Sequence, residues 1–268
     1  MKINPETKSG LKDYLDELVD KFNNTEFIEF DPITIPHGYN LKQDIEIAGF
    51  FSAILAWGNR KTIINKSLEL MSLMDNSPYE FIKNHSEKEL RAFSGFKHRT
   101  FQYTDLIYFV EILRRHYNTY DSLELAFRPD TNILYCQKTA LIQFHRNFFN
   151  HEFAPLRTRK HIATPAKNST CKRLNMYLRW MVRSDNRKVD FGLWKSIPAS
   201  ELMIPLDVHV EKYARHFGLL TQKKRNWGAV EEVTGCLRTF DPNDPVKYDF
   251  ALFSLGVNAK DSTDFYNH

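Results

Sequence analysis

Cysteine is scarce in this 268-residue sequence, which carries only Cys136, Cys171 and Cys236. No two of them are close enough for a zinc site, and no four-cysteine run could hold an iron–sulfur cluster. The His-Glu-x-x-His pattern of zinc proteases is missing too, and His209 and His216 lack a carboxylate at ligand spacing. We therefore expect neither a metal nor another cofactor.

Long apolar runs are missing as well. No stretch approaches the roughly 20 apolar residues that a transmembrane helix needs, and the opening segment 1–5 has no apolar signal core. An odd and sparse set of cysteines is typical of a reducing compartment. The sequence therefore predicts a cytoplasmic protein that makes no membrane contact.

Strand-type alternation and internal repeats are also lacking, whereas apolar residues recur at spacings of three and four, as in Leu11, Leu15 and Leu18. We predict an all-α fold. Segment 31–39 is expected to be a loop because two prolines and a glycine forbid a regular helix, and Asp44 is expected to cap the helix that follows. The predicted helical segments are 11–22, 44–57, 63–74, 78–84, 87–93, 104–117, 122–127, 133–149, 172–182, 207–217, 227–240 and 245–255.

No low-complexity linker divides the chain, so we expect a single compact unit of two intertwined helical lobes. One lobe is predicted to cover approximately residues 44–182 and to end in a hairpin and a helix. The other would combine residues 1–43 with residues 183–268. The hydrophobic share of 42% is that of a folded protein able to bury a core.

The net charge of +4 is too small to indicate a partner, but its distribution is uneven. Between Arg157 and Lys188 the only acidic residue is Asp185, and we call this segment the basic stripe. Such a concentration of positive charge suits a polyanion such as nucleic acid. A solvated basic face is the alternative interpretation. The basic residues of the stripe are Arg157, Arg159, Lys160, Lys167, Lys172, Arg173, Arg179, Arg183, Arg187 and Lys188.

Two predicted helix starts carry residues suited to covalent chemistry. Lys172 opens a basic amphipathic helix, and Asp207 opens a later one. A lysine amine can attack a sugar carbon and form a Schiff base, and a nearby aspartate can stabilise the developing cation and move protons. The helix dipole favours an ionised Asp207 as well as bound phosphates. Capping alone also explains Asp207, and Lys172 could be an ordinary surface lysine.

The segments around these residues, 164–173 and 205–210, resemble the helix-hairpin-helix DNA glycosylase superfamily of base-excision repair. In that superfamily a hairpin leads into a helix with a lysine near its start, and a later V-D-x-H-V segment supplies an aspartate. Segment 95–99 also looks like one that precedes a helix of the same lobe. Nearly the whole chain resembles a bacterial family without an established activity, through the runs 171–176, 179–183 and 241–250.

The resemblance implies a two-lobed helical fold of the glycosylase type and a DNA N-glycosylase/abasic-site lyase. Lys172 would be the Schiff-base nucleophile and Asp207 the carboxylate that stabilises the sugar cation. The expected partner is nucleic acid, namely duplex DNA with a damaged or abasic nucleotide. The family's hairpin is rich in glycine, whereas the hairpin here contains none. The residues expected to contact nucleic acid are Lys167, Ser169, Thr170, Arg173, Arg179, Arg183, Asn59, Arg60 and His209.

Two other functions remain open at this point. The same fold could be a catalytically inactive module that binds DNA or RNA through the basic stripe. The chain could also be an enzyme acting on a small nucleoside or phosphorylated ligand. Several residues have structural alternatives, since Gly58 could end a helix, Trp180 could be core and His209 could be a buried structural histidine.

Overall fold

The computed structural model describes residues 8–128 and 134–263, with side chains as far as residue 257. The described chain is predominantly helical, as predicted, and its helices are joined by short 3₁₀ turns. Within these ranges, none of the helices is both long and apolar enough to cross a membrane. The helices are α1 (Lys8–Phe22), α2 (Glu26–Glu29), α3 (Lys42–Leu55), α4 (Arg60–Ser72), α5 (Pro78–Asn84), α6 (Glu87–Leu90), α7 (Tyr103–Tyr117), α8 (Gln137–Phe148), α9 (Lys172–Val182), α10 (Val208–His216), α11 (Trp227–Arg238) and α12 (Tyr248–Thr263).

Some segments differ from their predicted form. The predicted helix 122–127 is a 3₁₀ turn, Leu123–Phe127, and α6 continues as the 3₁₀ turn Arg91–Gly95. An α-helical turn and a 3₁₀ turn both bring residues three positions apart to the same side, so a short apolar run in the sequence does not distinguish the two conformations. A small antiparallel hairpin pairs strand β1 (Lys97–His98) with strand β2 (Phe101–Gln102). Two residues per strand are too few for an alternating pattern to show in the sequence.

The predicted cap of α3 is wrong. The helix begins at Lys42, after an extended Leu41, so Asp44 lies within its first turn. There burial raises the pKa of its carboxyl, and a hydrogen bond from the backbone N–H of Tyr79 to its Oδ1 at 2.8 Å opposes that rise. Asp44 thus ties α3 to the start of α5.

The chain divides into two units. The middle unit is Ile28–Ala163, and the terminal unit consists of the described parts of Met1–Phe27 and Thr164–His268. These boundaries differ from the predicted 44–182, and α9 belongs to the terminal unit. The physical reason is that α9 pairs with carboxylates that follow it in the chain, as described below.

The core of the middle unit is aromatic. Phe50 of α3 packs on Phe109 of α7 with ring centres 5.9 Å apart, and Phe144 of α8 stacks on Phe127 at 4.0 Å. The carboxylate of Glu46 is completely buried in the same unit. It accepts hydrogen bonds from Tyr117, Ser122 and the backbone of Leu123. These three donors offset the cost of burying its charge.

In the terminal unit, α12 packs against α1 and α10. The approach to α10 is close at Gly256, because a Cβ built there would lie only 2.3 Å from the Cβ of His209. Trp180, Trp194 and Trp227 are almost completely buried in this unit. Trp180 is therefore a core residue.

Candidate functional site

The hairpin before α9 turns without glycine. A 3₁₀ turn, Pro165–Lys167, begins at Thr164, whose Oγ1 accepts the N–H of Ala166. Asn168 (φ 55°) and Cys171 (φ 51°) then adopt left-handed conformations. Asparagine tolerates this region better than other residues with a Cβ, whereas cysteine pays a steric cost. The hairpin thus makes its two left-handed turns at Asn168 and Cys171 without glycine.

Cys171 is the residue that leads directly into α9. It is 1% exposed, and its Sγ lies 3.5 Å from the carbonyl oxygen of Ser169. Burial raises the pKa of the Cys171 thiol to about 12. The thiol therefore stays protonated at neutral pH and acts as a small packing group rather than as a nucleophile. Lys172 follows as the first residue of the helix.

Asp207 caps α10, as one of its sequence interpretations proposed. Its Oδ1 accepts hydrogen bonds from the backbone N–H groups of His209 at 2.8 Å and Val210 at 2.9 Å. These bonds fix the plane of the carboxylate and satisfy two of the free N–H groups at the start of the helix. The second oxygen, Oδ2, is turned toward Lys172.

The structure brings Lys172 and Asp207 together at the starts of their two helices. The Nζ of Lys172 lies 3.6 Å from Oδ2 of Asp207. The side chain of Lys172 is 34% exposed and that of Asp207 is 10% exposed, so solvent reaches the lysine more readily than the carboxylate. An amine beside a fixed carboxylate can act as a nucleophile whose proton has an acceptor within reach.

Asn175 holds the two helix starts in this arrangement. Its side-chain Nδ2 donates to the carbonyl oxygen of Thr170 at 3.1 Å and to that of Ile204 at 3.2 Å. One amide therefore links the hairpin before α9 to the segment before α10. The sequence interpretation missed Asn175, although it lies one helical turn after Lys172 and so on the same face of α9.

Arg179 and Arg183 were predicted to contact nucleic acid, and the structure corrects this. They are only 3% and 2% exposed. Arg179 pairs with Asp190 at 3.2 Å and with Asp249, while Arg183 pairs with Asp190 at 3.1 Å and with Asp244 and Asp185 at 2.9 and 2.7 Å. Asp190, Asp244 and Asp249 follow the basic stripe in the chain, so counting charges within the stripe could not reveal them.

Asp249, in the first turn of α12, is the least expected member of this region. It is 5% exposed and accepts a hydrogen bond from Nη1 of Arg179. Burial raises the pKa of its carboxyl to about 7, Arg179 and Lys172 oppose that rise, and Asp207 adds to it. Asp249 therefore titrates near neutral pH and experiences the charges of both Lys172 and Asp207. Asp249 is not among the residues that the sequence predicts for the site.

The other predicted residues of the terminal unit differ in exposure. Lys167 is exposed, and Ser169 and Thr170 are partly exposed. Arg173 is half-buried, and desolvation lowers the pKa of its guanidinium to about 10, which leaves it cationic at neutral pH. His209 packs edge-on against Phe253 with ring centres 5.8 Å apart. That contact and the proximity of Gly256 favour the structural interpretation of His209.

Asn59 and Arg60 lie in the middle unit. Asn59 caps α4, because its Oδ1 accepts the N–H of Thr62 at 3.2 Å, and Arg60 is the first residue of that helix. The cap accounts for the asparagine without a ligand. Beside it, Trp57 lies under the guanidinium of Arg99 at 4.9 Å.

The DUF2400 family model, described as a protein of unknown function, matches residues 31–258. The chain belongs to the DUF2400 family. The match includes Lys172, Asp207 and Asp249, so the region described above lies within the shared DUF2400 sequence. No curated protein and no solved structure matches this DUF2400 chain significantly. Among its described residues, no group of three His, Cys, Asp or Glu side chains is placed to hold a metal ion.

Proposed function

We propose that this DUF2400 protein is a DNA N-glycosylase and abasic-site lyase. The observation that carries the proposal is the 3.6 Å approach of Lys172 Nζ to Asp207 Oδ2 at two helix starts. The resemblance of segments 164–173 and 205–210 to the helix-hairpin-helix DNA glycosylases supports the same assignment of roles. We also propose that the chain has the two-lobed helical fold of that superfamily.

The reaction would proceed through a covalent enzyme–sugar intermediate. The neutral amine of Lys172 attacks C1′ of the target nucleotide, and the damaged base leaves with the electrons of its glycosidic bond. Negative charge on Asp207 stabilises the cation that develops on the sugar. Opening of the ring transfers a proton from the lysine nitrogen to O4′ and yields an iminium ion. Removal of a C2′ proton then expels the 3′ phosphate, and water releases the lysine.

The geometry of Asp207 fits this role. Two backbone N–H groups hold Oδ1, so Oδ2 keeps one orientation and needs no reorganisation as positive charge develops. The low exposure of the side chain, 10%, strengthens its interaction with a sugar cation relative to one in bulk water.

Nucleic acid would be held by the cations around the hairpin. Lys167 is exposed and Arg173 stays cationic at neutral pH, and both flank the start of α9. A helix start also attracts phosphate through its N–H groups. These features favour nucleic-acid binding even without catalysis, so an inactive DNA- or RNA-binding module is the second candidate.

The test is borohydride trapping on duplexes that carry an abasic site or an oxidised purine. A covalent adduct should form with the natural protein and disappear in Lys172→Gln. Lys188→Gln, which removes an exposed lysine of the same unit, is the matched control and should keep the adduct. Asp207→Asn should slow trapping by roughly a hundredfold or more.

Three results separate the candidates. Trapping that survives Lys172→Gln would assign the imine to another amine and overturn the proposed role. Salt-dependent duplex binding without any adduct would favour the binding module. The absence of both would leave an enzyme acting on a small nucleoside or phosphorylated ligand.

A further inference from the structure

Several cations of the basic stripe are already paired with aspartates. Arg179 and Arg183 are buried in such pairs, and Arg187 pairs with an aspartate of α1. Lys172 lies beside Asp207 in the candidate site. A duplex is held mainly through its phosphates, which need cations that are not already paired. The terminal unit therefore requires positive charge from outside the stripe to bind nucleic acid firmly.

The segment that joins α10 to α11 supplies such charge. Lys223, Lys224 and Arg225 follow one another in it, and all three are exposed. Arg225 pairs with Glu211 at 3.3 Å, whereas Lys223 and Lys224 take part in no ion pair within the described chain. We call residues 221–226 the basic loop. Its two adjacent lysine amines are thus available to an anionic ligand.

The backbone of the basic loop is held by side chains of both neighbouring helices. Glu232 of α11 accepts hydrogen bonds from the backbone N–H groups of Thr221 at 2.7 Å and Gln222 at 3.3 Å. Arg215 of α10 donates to the carbonyl oxygens of Gln222 at 2.7 Å and Lys223 at 3.2 Å. The lysine side chains are not needed for this conformation. A backbone that is fixed beforehand loses less conformational entropy when a ligand binds.

The basic loop adjoins the hairpin before α9. The residue that follows the loop, Trp227, donates its backbone N–H to the carbonyl oxygen of Asn168 at 3.3 Å. Trp227 is almost completely buried, so this end of the loop is anchored in the core of the terminal unit. Asn168 is preceded by Lys167, which is exposed and unpaired among the described residues. The loop and the hairpin therefore present unpaired lysines from neighbouring segments of one unit.

Resting on the proposed function, we propose that the basic loop binds the phosphate backbone of the duplex that the hairpin holds. Lys223 and Lys224 pair with phosphate oxygens and displace counterions, which adds affinity without reading the base sequence. Arg225 and Arg215 both pair with Glu211 and offset its negative charge beside the phosphates. Phosphate contacts fix the orientation of a duplex, so the role of the loop is to position the DNA.

The test measures binding and requires no catalysis. Fluorescence anisotropy follows a fluorescein-labelled duplex with a tetrahydrofuran abasic analogue at several salt concentrations. In the double variant Lys223→Gln, Lys224→Gln, the slope of log affinity against log salt should become shallower by about 1.8, since each phosphate contact contributes about 0.9. The affinity should fall by up to roughly 60-fold at about 0.1 M salt and approach that of the natural protein near about 1 M.

The matched control is the double variant Lys21→Gln, Lys188→Gln, which removes the same charge from two other exposed lysines of the terminal unit. Both lie near the end of α1, because Arg187 donates to the carbonyl oxygen of Asp20 at 2.9 Å. The control should keep the natural salt slope. Equal losses of affinity in the two double variants would mean that net charge alone governs binding, and would overturn the proposal.

A footprint of the natural protein tests the loop without a variant. Lysines are acetylated with sulfo-NHS-acetate in the presence and absence of the duplex, and each site is quantified by mass spectrometry. Lys167, Lys223 and Lys224 should react severalfold more slowly when the duplex is bound. Lys21 and Lys188 should react at the same rate in both samples. Protection of Lys167 without protection of the two loop lysines would remove the loop from the interface.

Borohydride trapping separates the role of the loop from the proposed reaction. In the loop variant the loss should appear in the DNA concentration that gives half-maximal trapping rather than in the maximal rate. Adducts with an unchanged salt slope would leave the lyase standing and refute the loop. A shallower slope without adducts would support the loop and refute the lyase. A natural protein that binds no duplex would overturn both.

Discussion

Replacing Arg179 with methionine should strongly destabilise the protein. The guanidinium lies between the buried carboxylates of Asp190 and Asp249 and over the ring of Phe250 at 4.5 Å. Methionine preserves much of the apolar stem but leaves two buried carboxylates without this cation. Breaking a buried ion pair from one side costs about 3–5 kcal/mol. We therefore expect a loss of that size at pH 8.

Urea unfolding followed by circular dichroism measures this loss, provided that the slope against urea is unchanged. The control is Arg187→Met, because Arg187 belongs to the same basic stripe but pairs with Asp20, whose side chain is 72% exposed. Exposed pairs contribute about 0–1 kcal/mol. The cost of Arg179→Met should also shrink below pH 6, as the carboxyl of Asp249 becomes protonated. If both variants lose the same stability at pH 8, the assignment of Arg179 to a buried network is refuted.

Three further predictions concern single positions. Burial raises the pKa of Asp249 to about 7, above that of an unfolded aspartate, so the free energy of unfolding should fall by up to about 4 kcal/mol as pH rises from 4 to 7. Urea unfolding across that range should show that Asp249→Asn removes this fall. Parallel plots of stability against pH for the natural protein and the variant would contradict the prediction. Asn168→Ala should lower stability by about 1 kcal/mol, measured by thermal unfolding, because φ at this position is 55°. Asn168→Gly should not lower it, and equal effects of the two variants would count against the left-handed turn. Gly256→Ala should lower the free energy of unfolding by about 1–3 kcal/mol, because the added Cβ would meet His209. Gly235→Ala should be neutral or stabilising, because its Cβ would meet no described atom within 4 Å. A neutral Gly256→Ala would argue against the close approach of α10 and α12.

Local features of both units were readable from the sequence. The bounds of α9 match the predicted 172–182, because apolar residues recur at helical spacing between these positions. Gly58, which the sequence suggests as the end of a helix, follows α3 and has φ 111°. Asp207 caps α10, since short polar side chains favour that position. These features depend on residues within a few positions of each other.

The partners of Arg179, Arg183 and Lys172 depend on contacts between distant parts of the chain. Whether an arginine in a basic segment faces solvent or a buried carboxylate is decided by elements far along the sequence, and Asp249 lies 70 residues after Arg179. The sequence could suggest that Lys172 and Asp207 act together only through resemblance. Periodicity alone contains no information on such pairings.

The packing of α1 against α12 joins two segments that the whole middle unit separates in the chain. Leu11, Leu15 and Val19 are the residues of α1 that the terminal unit buries. A single backbone cut within the middle unit would therefore leave α1 and α12 on different fragments that still share one apolar interface, and the two fragments should stay associated without a covalent link.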